Sequence, residues 1–213
     1  MGVTNELLPN ERPSPDEGQV IGLPASCKFN AMPENATNFL VAASSDAAGQ
    51  NAQVPSDTGQ FAMFMRLLAP PLVSISGIPG NPSSLSISSG AQDFVNVGCA
   101  LCHTPTLTTA SSNVAALSRA KANLFSDLLV HKMGTNLADG VSQGGAGPNE
   151  FRTAPLWGLG QRIFLLHDGC TTDLLDAIQE HSSSGSEANR VIANFNKLTS
   201  RQQQDLLNFL RSL

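Results

Sequence analysis

The chain contains no tyrosine, and aromatic residues make up only 5% of its 213 positions. That scarcity argues against an aromatic-rich β-sandwich, since strands draw on aromatic and β-branched side chains. Charged residues are also few, at 14%, and no run of Lys or Arg occurs, while the net charge is −5. A nucleic-acid partner would want a basic face, so that class is excluded. No stretch of 18 or more apolar residues exists, so nothing in the sequence is predicted to span a membrane. The opening Met1-Gly2-Val3-Thr4-Asn5-Glu6 has neither a basic nor an apolar stretch, and does not read as a signal peptide.

What is present is a globular share of apolar residues, 41%, in a chain long enough to bury a sizeable core. Glycine and proline are plentiful, at 18 and 13 residues. The combination describes a loop-rich domain held together by something besides helices and strands.

Residues 1–57 read as an irregular segment, broken by Pro9, Pro13, Pro15, Pro24, Pro33 and Pro55. A first helix is predicted over 58–69, where Phe61, Phe64, Met65 and Leu68 recur at helical spacing and Pro70-Pro71 ends the run. A Ser/Gly/Pro-rich linker follows over 74–89, then a short helix with Ala91, Phe94 and Val95 as its apolar stripe. Residues 104–170 are mostly loop, dense in Gly134, Gly140, Gly144, Gly145 and Gly147. Three helices are expected to close the chain. The first covers 173–181, capped by Thr171 or Thr172 with Asp173 and Asp176 in its first turn. The second covers 186–198, with Ala188, Val191, Ile192 and Phe195 on one face. The third starts from a Thr199-x-x-Gln202 capping box and buries Leu206, Leu207, Phe209 and Leu210. The fold class expected is mainly α with long irregular loops, divided into residues 1–57 and a domain over 58–213.

Cys99-Ala100-Leu101-Cys102-His103 is the C-x-x-C-H signature of covalent haem attachment. Two thiols three residues apart on one turn reach the two vinyl groups of a porphyrin, and the next imidazole then points at the iron. A C-x-x-C redox pair would want a thioredoxin-like βαβ setting, which this segment lacks. A structural zinc site would want a second pair of ligands, whereas Cys27 and Cys170 are isolated. One motif implies one haem c, carried by Cys99, Cys102 and His103, in a cytochrome c-like domain.

Several segments outside the motif sharpen this. Residues 97–107 (VGCALCHTPTL), 126–140 (SDLLVHKMGTNLADG), 151–160 (FRTAPLWGLG), 165–169 (LLHDG) and 206–213 (LLNFLRSL) resemble the C-terminal haem domain of the di-haem cytochrome c peroxidase/MauG superfamily. The nearest branch is that of di-haem oxidoreductases called peroxidase-like or "thiol oxidoreductase". In the peroxidases of that superfamily a Met on the helix after an H-[DS]-G motif binds the electron-transferring iron, and MauG-type members place Tyr in that region. Counted from His167-Asp168-Gly169, the matching position here is His181. A His there implies a bis-His iron, saturated and lower in potential than a His/Met one.

Rival sixth ligands are Met133, at a spacing many small cytochromes use, and His131, which also reads as an ordinary loop histidine. His181 itself could be a solvated histidine at a helix C-terminus. His167 stays next to the site without ligating, near a propionate or in a structural hydrogen bond. Arg152 and Arg162 are candidate propionate partners, because guanidinium forks suit carboxylates. Trp157 and Leu156 would pack on the porphyrin or in the core. Cys27 and Cys170 could pair as a disulfide in an oxidising compartment.

The superfamily carries two haems in two domains, whereas this sequence has a single motif. Its opening residues resemble the tail of a first haem domain, so residues 1–57 are expected to be the remnant of one. The resemblance implies an electron-transfer role for this haem in a periplasmic or other extracytoplasmic compartment, with a redox partner protein for which the acidic surface is suited. Direct peroxidase or oxidase chemistry at this haem, or docking to a separate catalytic subunit, are the alternatives. No catalytic residue is identifiable, because no loop offers a convincing acid–base pair beside the iron. The resemblance leaves open whether a calcium ion is bound.

Overall fold

The computed structural model describes Asn35 and residues 56–213. The chain divides into two compact units, Met1–Ala69 and Pro70–Leu213. In the first, helix α1 (Asp57–Leu67) is capped by the Ser56 hydroxyl, which accepts from the Gly59 N–H at 3.1 Å. Asn35 adds a second tie, its side-chain carbonyl accepting from the Asp57 N–H and its amide donating to the Thr58 hydroxyl. The helix expected over 58–69 is therefore present, but its apolar side chains are exposed.

In the second unit helices carry the core. They are α2 (Ser84–Val97), α3 (Leu174–Gln179), α4 (Asn189–Phe195) and α5 (Ser200–Ser212). Between α2 and α3 lie two small antiparallel sheets. Strand β1 (Leu107–Thr108) pairs with β2 (Lys121–Ala122), and β3 (Val130–Lys132) with β4 (Glu150–Arg152), His131 standing opposite Phe151. The coarse expectation holds among the described residues: helices form the core and long loops fill the space between them.

The α2–α5 crossing organises this unit. Ser83 caps α2 at the Ser86 N–H, so the polar run 84–89 is the first half of the helix and not a linker. Serine is a modest helix former but a good cap, which is why composition misplaces this boundary. Gly90 permits the crossing: a Cβ there would overlap the Asp205 carbonyl of α5. Asp205 also accepts from the Ser86 hydroxyl across the same interface. Phe94 and Val97 are buried and Ala91 packs against the same core, but Val95 is 51% exposed, so of the expected stripe Val95 alone faces outward and Val97 takes its place.

On α5 the capping box is formed, Thr199 Oγ1 accepting from Gln202 N and Gln202 Oε1 accepting from Thr199 N. Leu206, Leu207, Phe209 and Leu210 are buried as expected. Phe94, Phe125 and Phe209 form a mutual edge-on cluster with centroids 5.5–6.1 Å apart. Phe195 of α4 is fully buried beside them in the same core.

Helix α3 is capped by Asp173, not by Thr171 or Thr172: its carboxylate accepts from Leu175 N and Asp176 N. Helix α4 starts three residues later than expected, because Ser186 is taken by a bridge to Met133. Among the described residues no helix is long and apolar enough to cross a membrane.

Candidate functional site

Gly98 ends α2 in the left-handed region (φ 106°), a conformation costly for any residue with a Cβ, and its N–H goes to the carbonyls of Phe94 and Val95. The turn delivers Cys99–Leu101 as a single 3₁₀ turn, closed by the His103 N–H on the Cys99 carbonyl at 2.9 Å. The core helix and the C-x-x-C-H segment are thus one continuous, rigidly joined piece.

The two thiols are unpaired and partly buried. Burial pushes Cys99 up to about 11, and burial with the charges of Asp127 and Glu187 raises Cys102. A catalytic C-x-x-C pair depends on a lowered thiol pKa. These thiols are shifted the other way, which argues against a redox pair.

His103 is half-buried and held neutral, its pKa pushed down to about 4 by desolvation, against the weaker pull of the Phe125 carbonyl. That carbonyl sits 3.0 Å from Nδ1 and can only accept, so Nδ1 carries the hydrogen and Nε2 is the nitrogen left to coordinate. His181 repeats the arrangement. It follows α3, its Nδ1 donates to the Ala177 carbonyl at 2.7 Å, and burial lowers its pKa. Two half-buried, neutral imidazoles each have Nδ1 tied to a backbone carbonyl.

The two rings face one region, with centroids 6.5 Å apart. Two imidazoles on opposite sides of one metal, each with a metal–nitrogen bond of about 2.0–2.1 Å, would have centroids about 6.3 Å apart. Distance alone does not select His181, since the Phe94 ring lies 6.4 Å from His103. Only His181 of the two carries a nitrogen able to bind. The chemistry of the pair fits an iron with two axial imidazoles.

The other sequence candidates are distributed around this pair. Met133 lies just after β3, its N–H donating to Asn149 and its carbonyl accepting from Ser183. Both nitrogens of His131 are engaged, Nε2 with Asp127 and Nδ1 with Glu187, each at 2.9 Å. Neither Asp127 nor Glu187 stood out in the sequence; only their place around His131 in the fold does so. Trp157 and Leu156 are half-buried, and Leu156 packs against the core that contains Phe94 and Phe209. Arg152 is exposed at the end of β4 and makes no ion pair among the described residues. Arg162 reaches the Pro155 carbonyl at 3.4 Å. His167 stacks on Phe151 (4.3 Å) and lies 3.6 Å from Asp139. Cys170 is a free, exposed thiol, while Cys27 and residues 1–34 and 36–55 lie outside the described residues.

Residues 42–213 match the family described as "Di-haem oxidoreductase, putative peroxidase". No curated protein matches the chain. Among solved structures, hydrazine synthase of Kuenenia stuttgartiensis, pressurised with 20 bar xenon, is similar over 79% of this chain and 59% of that one. The identity is 18% and the TM-score 0.45, and the chain thus spans under two thirds of that protein's length.

Proposed function

The chain belongs to the di-haem oxidoreductase family, and on that premise we propose that it holds one covalent haem c and passes single electrons through it. The observation that carries this reading is the pair His103 and His181, two half-buried imidazoles of fixed tautomer with ring centroids 6.5 Å apart. A haem bound here supplies a one-electron iron couple.

The chain's own residues do the rest. Cys99 and Cys102 would hold the group by thioethers, and His103 and His181 would supply the two imidazole ligands to its iron. The Phe125 and Ala177 carbonyls fix the imidazole tautomers and orientations, so ligand geometry is set before any electron arrives. An iron so ligated would serve electron transfer without binding a substrate. Trp157, Leu156 and Arg152 are proposed to lie at the haem edge. Residues 58–213 would be the haem domain of a protein working outside the cytoplasm. Its partner would be a redox protein whose basic patch meets the chain's net acidic surface.

The family description favours a second reading, peroxide chemistry at this haem after His181 leaves. Absorption spectra of the haem-loaded protein separate the two. Low-spin ferric and ferrous forms that ignore peroxide and CO are the expected result. A high-spin fraction that reacts with peroxide would overturn electron transfer as the primary role.

A further inference from the structure

Beside Cys102 the fold assembles Asp127, His131 and Glu187, three side chains that the electron-transfer reading does not use. Cys102 Sγ, a carboxylate oxygen of Asp127 and a nitrogen of His131 lie within 4.8 Å of one another. His131 is clamped between two carboxylates, Asp127 Oδ2 on Nε2 and Glu187 Oε2 on Nδ1. Carboxylate oxygens only accept, so both ring nitrogens carry hydrogens and the ring is an imidazolium.

Each carboxylate is anchored to a different side of the candidate haem site. The Asp127 N–H donates to the Cys102 carbonyl at 2.8 Å, fixing it to the attachment turn. Glu187 follows His181 by six residues, in the turn that starts where α3 ends. Its Oε1 accepts from Lys132 N at 3.0 Å and its own N–H donates to the Lys132 carbonyl at 2.9 Å. In that turn the Ser186 hydroxyl donates to the His181 carbonyl at 2.6 Å. Gly134 presses into the same turn, where a Cβ would overlap the Ser183 hydroxyl.

We propose that His131 is a positioning residue that holds the sixth ligand in place, tying the turn after His181 to the attachment turn of Cys102 through Glu187 and Asp127. The inference rests on the reading of His181 as that ligand. Helix α3 has only six residues and ends just before His181, so the turn's anchorage decides how firmly the imidazole is held. His131 thereby sets the balance between a closed, electron-transferring iron and one open to an added ligand.

The test uses the haem-loaded protein and the rate of CO binding to its reduced form, with the ferric spin state read alongside. Native protein, His131→Ala, Glu187→Gln, His181→Ala and a distant control, Thr199→Ala, are compared. Glu187→Gln keeps the oxygen that accepts from Lys132 while removing the charge on His131, and it carries the test if His131→Ala does not accumulate folded. CO binding follows the fraction of iron without its sixth ligand. Losing a charge-assisted contact should raise that fraction about tenfold or more in the His131 and Glu187 variants. Thr199→Ala should lower thermal stability and leave the CO rate unchanged. Native CO rates in both clamp variants, with His181→Ala fully reactive, would overturn the role of His131 and leave the ligand reading standing. A His181→Ala protein that stays low-spin and closed to CO would overturn both.

Discussion

Replacing Gly90 by Ala isolates the contact that joins the haem-attachment turn to the core. On an exposed helix the change would stabilise by about 1 kcal/mol, because Ala restricts the unfolded chain and favours helix. Here the added Cβ would overlap the Asp205 carbonyl and sit 2.8 Å from the Leu206 nitrogen, both backbone atoms that cannot rotate away. Relief requires α2 and α5 to part by roughly 1.5 Å before the methyl, 1.9 Å from the Asp205 oxygen, reaches ordinary contact distance. Parting loosens the Phe94–Phe209 edge contact at 5.5 Å and the burial around it. Overpacking of this kind costs about 1–3 kcal/mol and sometimes more. An overlap with fixed backbone atoms lies at the upper end of that range, so after the propensity gain a net loss of about 2 kcal/mol is expected. Urea denaturation of the haem-loaded protein measures it. A variant as stable as the native protein, or more so, would refute the close crossing.

Other perturbations test other parts of the account. Thr199→Ala removes one half of the α5 capping box and should cost about 1 kcal/mol in the same denaturation assay. Cys102→Ser should leave haem attached through Cys99 alone, read as a single residual vinyl in the alkaline pyridine spectrum; two residual vinyls with haem lost to extraction would mean neither thiol was bonded. The His131 clamp predicts a stability window in pH. Hydrogen bonds to Glu187 and Asp127 raise the His131 pKa, so its contribution is complete below about 6.5 and fades as pH rises through the raised value. For Asp127, burial pushes the pKa up but hydrogen bonds from Leu129, His131 and Thr153 outweigh it; for Glu187, hydrogen bonds to His131 and Lys132 lower it. Those contributions are present above the usual carboxylate range and fade as pH falls through the lowered values. The difference in thermal midpoint between native protein and His131→Ala should therefore be widest between about pH 4.5 and 6.5; a flat difference from pH 4 to 9 would refute the clamp.

The parts of this molecule legible in the sequence are those whose information is local. The C-x-x-C-H segment is five consecutive residues, and the α5 capping box spans four, so spacing alone identifies both. His181 became a candidate through resemblance, not through any signal of its own. Where the sequence misleads, the cause is tertiary. The serines of α2 read as linker until Gly90 and Ser86 meet Asp205 of α5, 115 and 119 residues away. Asp173 reads as a first-turn acid, but a carboxylate caps as well as a threonine hydroxyl, and the fold uses it. The His131 clamp joins positions 4 and 56 residues distant, and no pattern along the chain marks them as neighbours.

The central claim is that one iron is held between His103 and His181. Electron paramagnetic resonance and near-infrared magnetic circular dichroism of the ferric, haem-loaded protein read the axial ligands directly. The account predicts a low-spin bis-imidazole signature in the native protein, replaced by a high-spin one in His181→Ala. A thioether–iron signature that vanishes in Met133→Ala would contradict it and make Met133 the sixth ligand.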